Sequence, residues 1–504
     1  MIANFKRYSE ADANVRKFNE MIIEAKLMRQ IDPTDRMFDF LQAEKDNSTL
    51  RKLFKLHGEA ILKLKRCMIL SPSTISLLFT SEELSNFDVA IIDEASQLEP
   101  VTILPILHRT KQCIVVGEEW QMPPMVHFKA KFQKTIDDMD ASLEPDISAL
   151  SLMLKNAAFN IHELECHYRS KTESLIRFSQ KSFYPKMKTF PAPLPKRESL
   201  GFKDVYIEDA TCHSGENVKE AEAVLRELRE HFEKFFRNNK LEESVGIVTF
   251  GEKQKSLIDK MIQKDRVLSQ QISFARMNKD IDDTDEKVFF LKTIEEVQGQ
   301  EANHLILSMT YGVDDKGKKV NRFGQLNRDK LGQCIFNVAV TRAKYSITLI
   351  HSIHSYDIDT STESGKRIEY LKNYIEIAEL FSLNGKNQFL GVEPNEGFIK
   401  QVGEYLISLG VNKERIVYDY GVTEGSIRIP IAILSKDLQK AEFGIFLEKD
   451  IKNTYNYLDY NVRYYNILQN QCFWNLERVF IHDWYDNPEF VKKQLSNIVS
   501  KIGM

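Results

Sequence analysis

The sequence predicts an α/β protein built on parallel sheets, with one α/β block following another and a smaller one at the end. Three observations carry that prediction. The runs CMIL (67–70), FDVAIID (87–93) and QCIVVG (112–117) are short, apolar and separated by polar or helix-like stretches, the βαβ rhythm of a parallel sheet. Four further runs repeat the rhythm: VGIVTF (245–250), VFFLKTI (288–294), HLILSMTYG (304–312) and SITLIHS (346–352). The pattern then breaks around Gly385 to Pro394, and a last segment offers a helix (Phe398 to Leu409) and the strands IRIPIAIL and EFGIFLE.

Taken in order, residues 1–65 are rich in Glu and Lys and helical in pattern. The spaced series Leu53, Phe54, Leu56, Ile61, Leu62, Leu64 makes an amphipathic helix that runs across Gly58. Residues 66–160 hold the first sheet. In FDVAIID the unbroken run Val89, Ala90, Ile91, Ile92 predicts a strand covered on both faces. Residues 161–384 form the second block, led by the amphipathic helix ENVKEAEAVLRELREHFEKFF (216–236). A linker at 385–395 joins it to the final domain, 396–504.

At 504 residues the chain has room for about three domains. Its 42% hydrophobic and 28% charged content is that of a globular protein, and no apolar run approaches the ~18 residues of a membrane span. The start lacks a signal-peptide core. The 6 cysteines have no CxxC spacing and read as reduced core residues of a cytoplasmic protein, with neither zinc nor disulfides. A net charge of −4 confines any nucleic-acid contact to a local groove.

The chemistry concentrates at strand ends. Asp93 and Glu94 stand where the 87–92 run stops, and open α/β sheets place ligands just beyond the carboxyl ends of strands. An Asp there can hold Mg²⁺ on a nucleotide, and a neighbouring Glu can orient the attacking water. In VVGEEWQMPP (115–124), Gln121 follows a strand with an amide able to sense a terminal phosphate. LECHYRSKTESLIRFSQKSFY (164–184) sets Tyr168 and Arg169 ahead of a helix. TIEEVQGQE (293–301) closes a strand with Gln298, Gly299 and Glu301, and FNVAVTRAK (336–344) puts Thr341, Arg342 and Lys344 at an expected helix start.

In this order these elements resemble the motifs of superfamily 1 helicases, of the branch containing the nonsense-mediated-decay and Dna-two-type helicases. SPSTISLLF (71–79) is similar to that family's nucleic-acid motif, and VGIVTFGEKQ to its strand-plus-Gln motif, ending in Gln254. The resemblance implies tandem RecA-like domains, ATP and Mg²⁺ as cofactors, and 5′-to-3′ translocation on single-stranded DNA or RNA. It implies Asp93 as the Mg²⁺ ligand, Glu94 as the water residue and Gln121 as the phosphate sensor. Arg169 and Arg342 would be arginine fingers held by Glu301, while Tyr168, Gln254, Gln298 and Gly299 would touch the nucleotide. Ser71, Ser73, Thr74, Thr293 and Thr341 would meet nucleic acid, with the basic, partly aromatic stretches 316–330 and Arg169 to Lys188 (Phe178, Phe183, Tyr184) as further candidates.

The sequence departs from that pattern in its phosphate grip. No GxxxxGK[ST] occurs in the 504 residues; GVDDKGKK (312–319) puts Lys319 where the hydroxyl belongs and reads as a solvated loop. The first RecA-like domain is therefore expected to be incomplete, and the chain alone to lack ATP turnover unless a partner or further segment supplies the P-loop. Glu118 replaces an Asp usual in the family, and Ile335 replaces an Arg. The last domain resembles the Vsr-like branch of the PD-(D/E)xK restriction-endonuclease fold, with Trp474, Arg478 and Trp484 matching its later part. Pro430 and Phe446 stand at the metal-binding positions, and Glu448 lies two residues on, so its nuclease chemistry is expected to be gone. The helicase–nuclease combination suggests bacterial genome defence or repair. The alternative is a non-catalytic nucleic-acid-binding or scaffold protein derived from a helicase.

Overall fold

The computed structural model describes residues 49–64, 66–79, 87–124, 148–156, 159–193, 201–238, 243–277, 288–314, 317, 323–383, 397–421, 426–438, 440–448 and 457–502. The chain divides into two compact units: residues 1–119 with 123–161, and residues 120–122 with 162–504.

In the first unit, β1 (Phe87–Ile92) and β2 (Thr110–Val115) pair in parallel, with Ile91 opposite Ile114, and the helix Pro100–Leu107 connects them. One face of this pair, with Ala90, Ile92, Cys113 and Val115, packs on Ile103, Ile106, Leu150 and Met153. The other face carries Val89, Ile91, Ile114 and Val116, all exposed, Ile91 by 69%. The two-sided coverage expected of β1 is thus not met, because among the described residues helices pack on one side only. No strand forms at 67–70 either, and Ile69 is 97% exposed. An apolar run becomes a strand only where another backbone pairs with it. Cys67 is exposed too, unlike the core cysteine expected. The helix Leu50–Leu64 forms where predicted, a second helix spans Pro72–Leu78, and Phe79 packs edge-on to Phe54 and Phe87 at 5.3 Å each.

The second unit opens with a short parallel pair, β3 (Cys166–His167) and β4 (Lys188–Thr189). Its main sheet holds β5 (Gly201–Tyr206), β6 (Val245–Thr249), β7 (Phe289–Thr293), β8 (Ala302–Ser308) and β9 (Ala343–His351) in the order β5-β9-β8-β6-β7, all parallel. Helices Val218–Asn238, Glu252–Lys264 and Arg266–Met277 contribute to the core on one face. Ser174–Ser182, Asp329–Val340 and Glu369–Leu383 contribute to the core on the other. Every residue of β6 is buried, as a strand covered on both sides requires.

The end of the same unit is a mixed sheet of β10 (Ile416–Tyr420), β11 (Ile429–Leu434), β12 (Ala441–Leu447) and β13 (Leu476–Val479). The first two pairings are antiparallel and the last is parallel. Phe398–Ser408 and Pro488–Ile502 pack over Ile431, Ile433 and Ile445. The α/β class and the parallel sheet expected from the sequence are both present. Among the described residues no helix is long and apolar enough to cross a membrane.

Candidate functional site

The sequence-predicted residues fall into separate groups. In the first unit β1 stops at Ile92 because the chain turns there: Val116 N–H donates to Ile92 O (2.8 Å) and Ala95 N–H to Val116 O (3.0 Å). Glu94 takes a left-handed conformation, φ 52°, which costs a non-glycine residue about 1–3 kcal/mol. Its N–H donates to Asp93 Oδ1 (3.0 Å), and Gln97 Nε2 donates to Glu94 Oε2 (3.1 Å), so both exposed carboxylates are oriented by their own turn. Gly117 is required beside them, since a Cβ there would lie 3.2 Å from Ser96 N and 2.9 Å from Leu150 Cδ2. No cluster of three or more metal-ligating side chains occurs among the described residues. Asp93 could therefore hold Mg²⁺ only together with phosphate and water oxygens, the arrangement usual for that ion. Ser71 caps the helix Pro72–Leu78, accepting from Thr74 N–H at 3.2 Å, with the hydroxyls of Ser73 and Thr74 2.9 and 2.8 Å from its own.

Residues 120–122 belong to the second unit, so the 115–124 motif spans the division. Met122 is buried in the second unit's core. The Trp120 ring lies 4.8 Å from Phe183, and Asn337 Nδ2 donates to Trp120 O at 3.0 Å. Gln298 Nε2 donates to Gln121 Oε1 at 3.4 Å, which brings two of the predicted residues together, next to Gly299 at φ 82°.

Glu301 is the hub of the second unit's charged residues. Its carboxylate binds Arg169 Nη2 at 3.0 Å and Lys344 Nζ at 2.7 Å. Partial burial works to raise the Glu301 carboxyl, but the Lys344 hydrogen bond and the charges of Arg169, Lys344 and Arg342 hold it below its ordinary value. Arg342 is buried, donates from Nε to Val338 O at 2.8 Å and adds its charge to the field on Glu301. Lys344 had no role assigned from sequence; its place in TRAK was the available signal. TRAK itself ends a helix instead of starting one: Thr341 caps Asp329–Val340, and Ala343 opens β9. The Thr341 hydroxyl donates to Asn337 O at 2.8 Å, which commits it to the helix end. His167, also missed, accepts from Ser170 N–H at 3.2 Å. Burial, and then the charge of Arg169, push its pKa down to about 4, so the ring is neutral. Tyr168 is exposed, while Thr293 is buried and donates its N–H to Glu296 Oε2 at 3.0 Å.

Other expectations are corrected. Gln254, expected at the nucleotide, is fully buried: its Oε1 accepts from Asn217 N–H (2.7 Å) and its Nε2 donates to Asn217 O (3.0 Å). It belongs to a framework centred on Glu220, which accepts from Ser308 Oγ (2.9 Å), Thr310 N–H (2.7 Å), Ser352 Oγ (2.8 Å) and Asn217 Nδ2 (3.2 Å). Burial outweighs these donors and lifts Glu220 to about 7. Phe178 and Phe183, expected to stack on bases, are core residues, and the Tyr184 hydroxyl accepts from Asn337 Nδ2 at 2.7 Å. Ile335 is likewise a core residue. Most of the basic loop at 316–322 lies outside the described residues. In the last domain Pro430 is buried in β11, and Phe446 stacks on Tyr460 at 4.7 Å. Glu448 accepts from Tyr457 Oη at 2.6 Å and from Ile481 N–H at 3.3 Å, which uses it in packing.

Two family models, each described as an AAA domain, match residues 46–129 and 146–354. The chain is 24% identical over 476 residues to an uncharacterised ATP-dependent helicase of Mycoplasma pneumoniae, covering 91% of this chain and 40% of that protein. It is 26% identical over 457 residues to the Mycoplasma genitalium counterpart, covering 86% and 38%. To the ATP-dependent helicase upf1 of Schizosaccharomyces pombe it is 25% identical over 279 residues, covering 52% and 26%. The chain therefore spans about two fifths of the length of the Mycoplasma relatives. Each of these relatives is named as an ATP-dependent helicase.

Proposed function

We propose that this chain is the C-terminal motor part of an ATP-dependent DNA or RNA helicase, translocating 5′ to 3′ on single strands, with its P-loop supplied from outside these 504 residues. The observation that carries this reading is the hub at Glu301, which gathers Arg169 and Lys344 beside Arg342. A carboxylate that holds arginines in place without a substrate keeps them ready to neutralise charge growing on a transferring phosphoryl group. Asp93 would hold Mg²⁺, Glu94 would orient the water, and Gln121 with Gln298 would sense the γ-phosphate. Mg²⁺ bound there would neutralise phosphate charge. The last domain is a Vsr-like nuclease fold without its chemistry, as Pro430, Phe446 and the engaged Glu448 support. The scattered cysteine spacing of the sequence suits a cytoplasmic setting, and bacterial genome defence or repair fits the domain combination.

The second reading, a nucleic-acid-binding scaffold, is favoured by one observation, the lack of GxxxxGK[ST] in this sequence. Steady-state ATP turnover with single-stranded DNA or RNA separates the two. The motor reading expects none from the chain alone and turnover once a P-loop-bearing polypeptide is added. That turnover should fall by about 10³ or more in Arg169→Ala and Arg342→Ala. Failure of any P-loop-bearing portion to restore turnover leaves the scaffold.

A further inference from the structure

The loop that carries Arg169 is gripped by the last domain. β3 enters this loop, and β3 pairs with β4, which continues into the stretch Thr-Phe-Pro-Ala-Pro (189–193). Pro191 and Pro193 have no N–H to satisfy, so an extended strap can offer its carbonyls to one side. Four of its five backbone carbonyls accept from the last domain. Ile427 N–H donates to Thr189 O (2.7 Å), Trp474 Nε1 to Pro191 O (2.7 Å), Tyr420 Oη to Ala192 O (3.0 Å) and Ala441 N–H to Pro193 O (2.7 Å). Phe190 is 4% exposed and sits in that domain's core with Tyr420, Ile429 and Trp474. This strap is therefore both hydrogen-bonded to the last domain and packed into its core.

A second grip acts two residues beyond Arg169. Lys171 Nζ donates to Gln471 O at 2.9 Å and lies 4.9 Å over the Phe473 ring. Gln471 is the C-cap of the helix Tyr465–Asn470, where carbonyls lack partners within the helix and a cation is favoured. The backbone of the same residue closes a ring: Lys171 N–H donates to Lys344 O at 2.7 Å, Lys344 binds Glu301, and Glu301 binds Arg169.

We propose that the last domain is a buttress for Arg169, with Lys171 as the positioning residue through which it acts. This rests on the reading of Arg169 as an arginine finger. A domain without nuclease residues is then retained because it holds the finger loop in register, and anything that binds or distorts the 471–474 turn acts on ATP hydrolysis.

Hydrogen exchange on the intact chain tests this. Lys171→Met and Trp474→Phe should each speed exchange of amides 166–173 by about two- to fivefold while β6 and β8 stay protected. Lys171→Arg, which keeps the cation and the donor, should retain protection. Unchanged exchange across 166–173 in both Lys171→Met and Trp474→Phe overturns the proposal. In turnover measurements with an added P-loop portion, Lys171→Met should lower kcat with little change in KM, and Lys171→Arg should restore it. If Arg169→Ala leaves turnover intact, the finger reading fails whatever the exchange shows; the buttress fails on the exchange result alone.

Discussion

The parallel pair of the first unit and the five-stranded parallel sheet of the second begin from equally apolar strands and end in opposite environments. β6 (VGIVT) is buried at every residue between β7 and β8, with helices on both faces. β1 (FDVAII) is equally continuous in sequence, yet Val89 and Ile91 are exposed while Ala90 and Ile92 turn to the helices. Apolar runs state what a strand can bury. What it does bury depends on neighbours that the run does not encode.

Substitutions should magnify that contrast. Phe336, packed edge-on to Phe178 (5.7 Å) and Tyr374 (5.0 Å) under the second sheet, should cost about 3–5 kcal/mol as Phe336→Ala, read as a lowered guanidinium midpoint. The pH dependence of the same unit comes next. Glu220, lifted to about 7, keeps its proton in the folded state where the unfolded chain has lost it. Its contribution is full below about pH 4.5 and is lost as pH rises toward 7, a change of about 3 kcal/mol. His167, pushed down to about 4, works the other way, and its contribution is lost as pH falls from about 6.5 toward 4. The two trends oppose each other in the wild type. Glu220→Gln should therefore leave a stability curve that declines toward acid, and His167→Asn one that declines toward neutral pH, both measured by urea midpoints between pH 4 and 7.

The smaller effects belong to the first unit. Gly117→Ala forces a Cβ against Leu150 and Ser96 and should cost about 1–3 kcal/mol, seen as an earlier first transition on unfolding. Ile91→Ala should change stability by no more than about 0.5 kcal/mol. A loss of 2 kcal/mol or more at Ile91 would break the comparison, because it would mean that this face is covered after all.

Much of the architecture was legible in the residues. The four strand runs of the second block, the helix after Glu216 and the two strands expected in the last domain form close to where their periodicity places them, while β5, β10 and β13 went unread. The carboxylates at the end of β1 also fall where expected. The expected strand at 67–70 failed because no partner lies beside it among the described residues. TRAK was misplaced because the helix before it and the strand after it are both apolar, and one run cannot show where 3.6-residue periodicity gives way to alternation. The joining of Arg169 to Glu301 was expressible only as resemblance and that of Gln121 to Gln298 not at all, since these residues are far apart in sequence.

By itself, then, the sequence determined many of the helices and strands and where the acids leave β1, since those follow from backbone period and residue type within a few positions. Tertiary structure alone decided which faces are covered, that Gln254 supports a framework instead of a ligand, that Lys344 shares Glu301, and that the last domain holds the Arg169 loop. Each of these depends on contacts between residues distant in the chain, where burial and hydrogen bonding are set by what arrives from elsewhere.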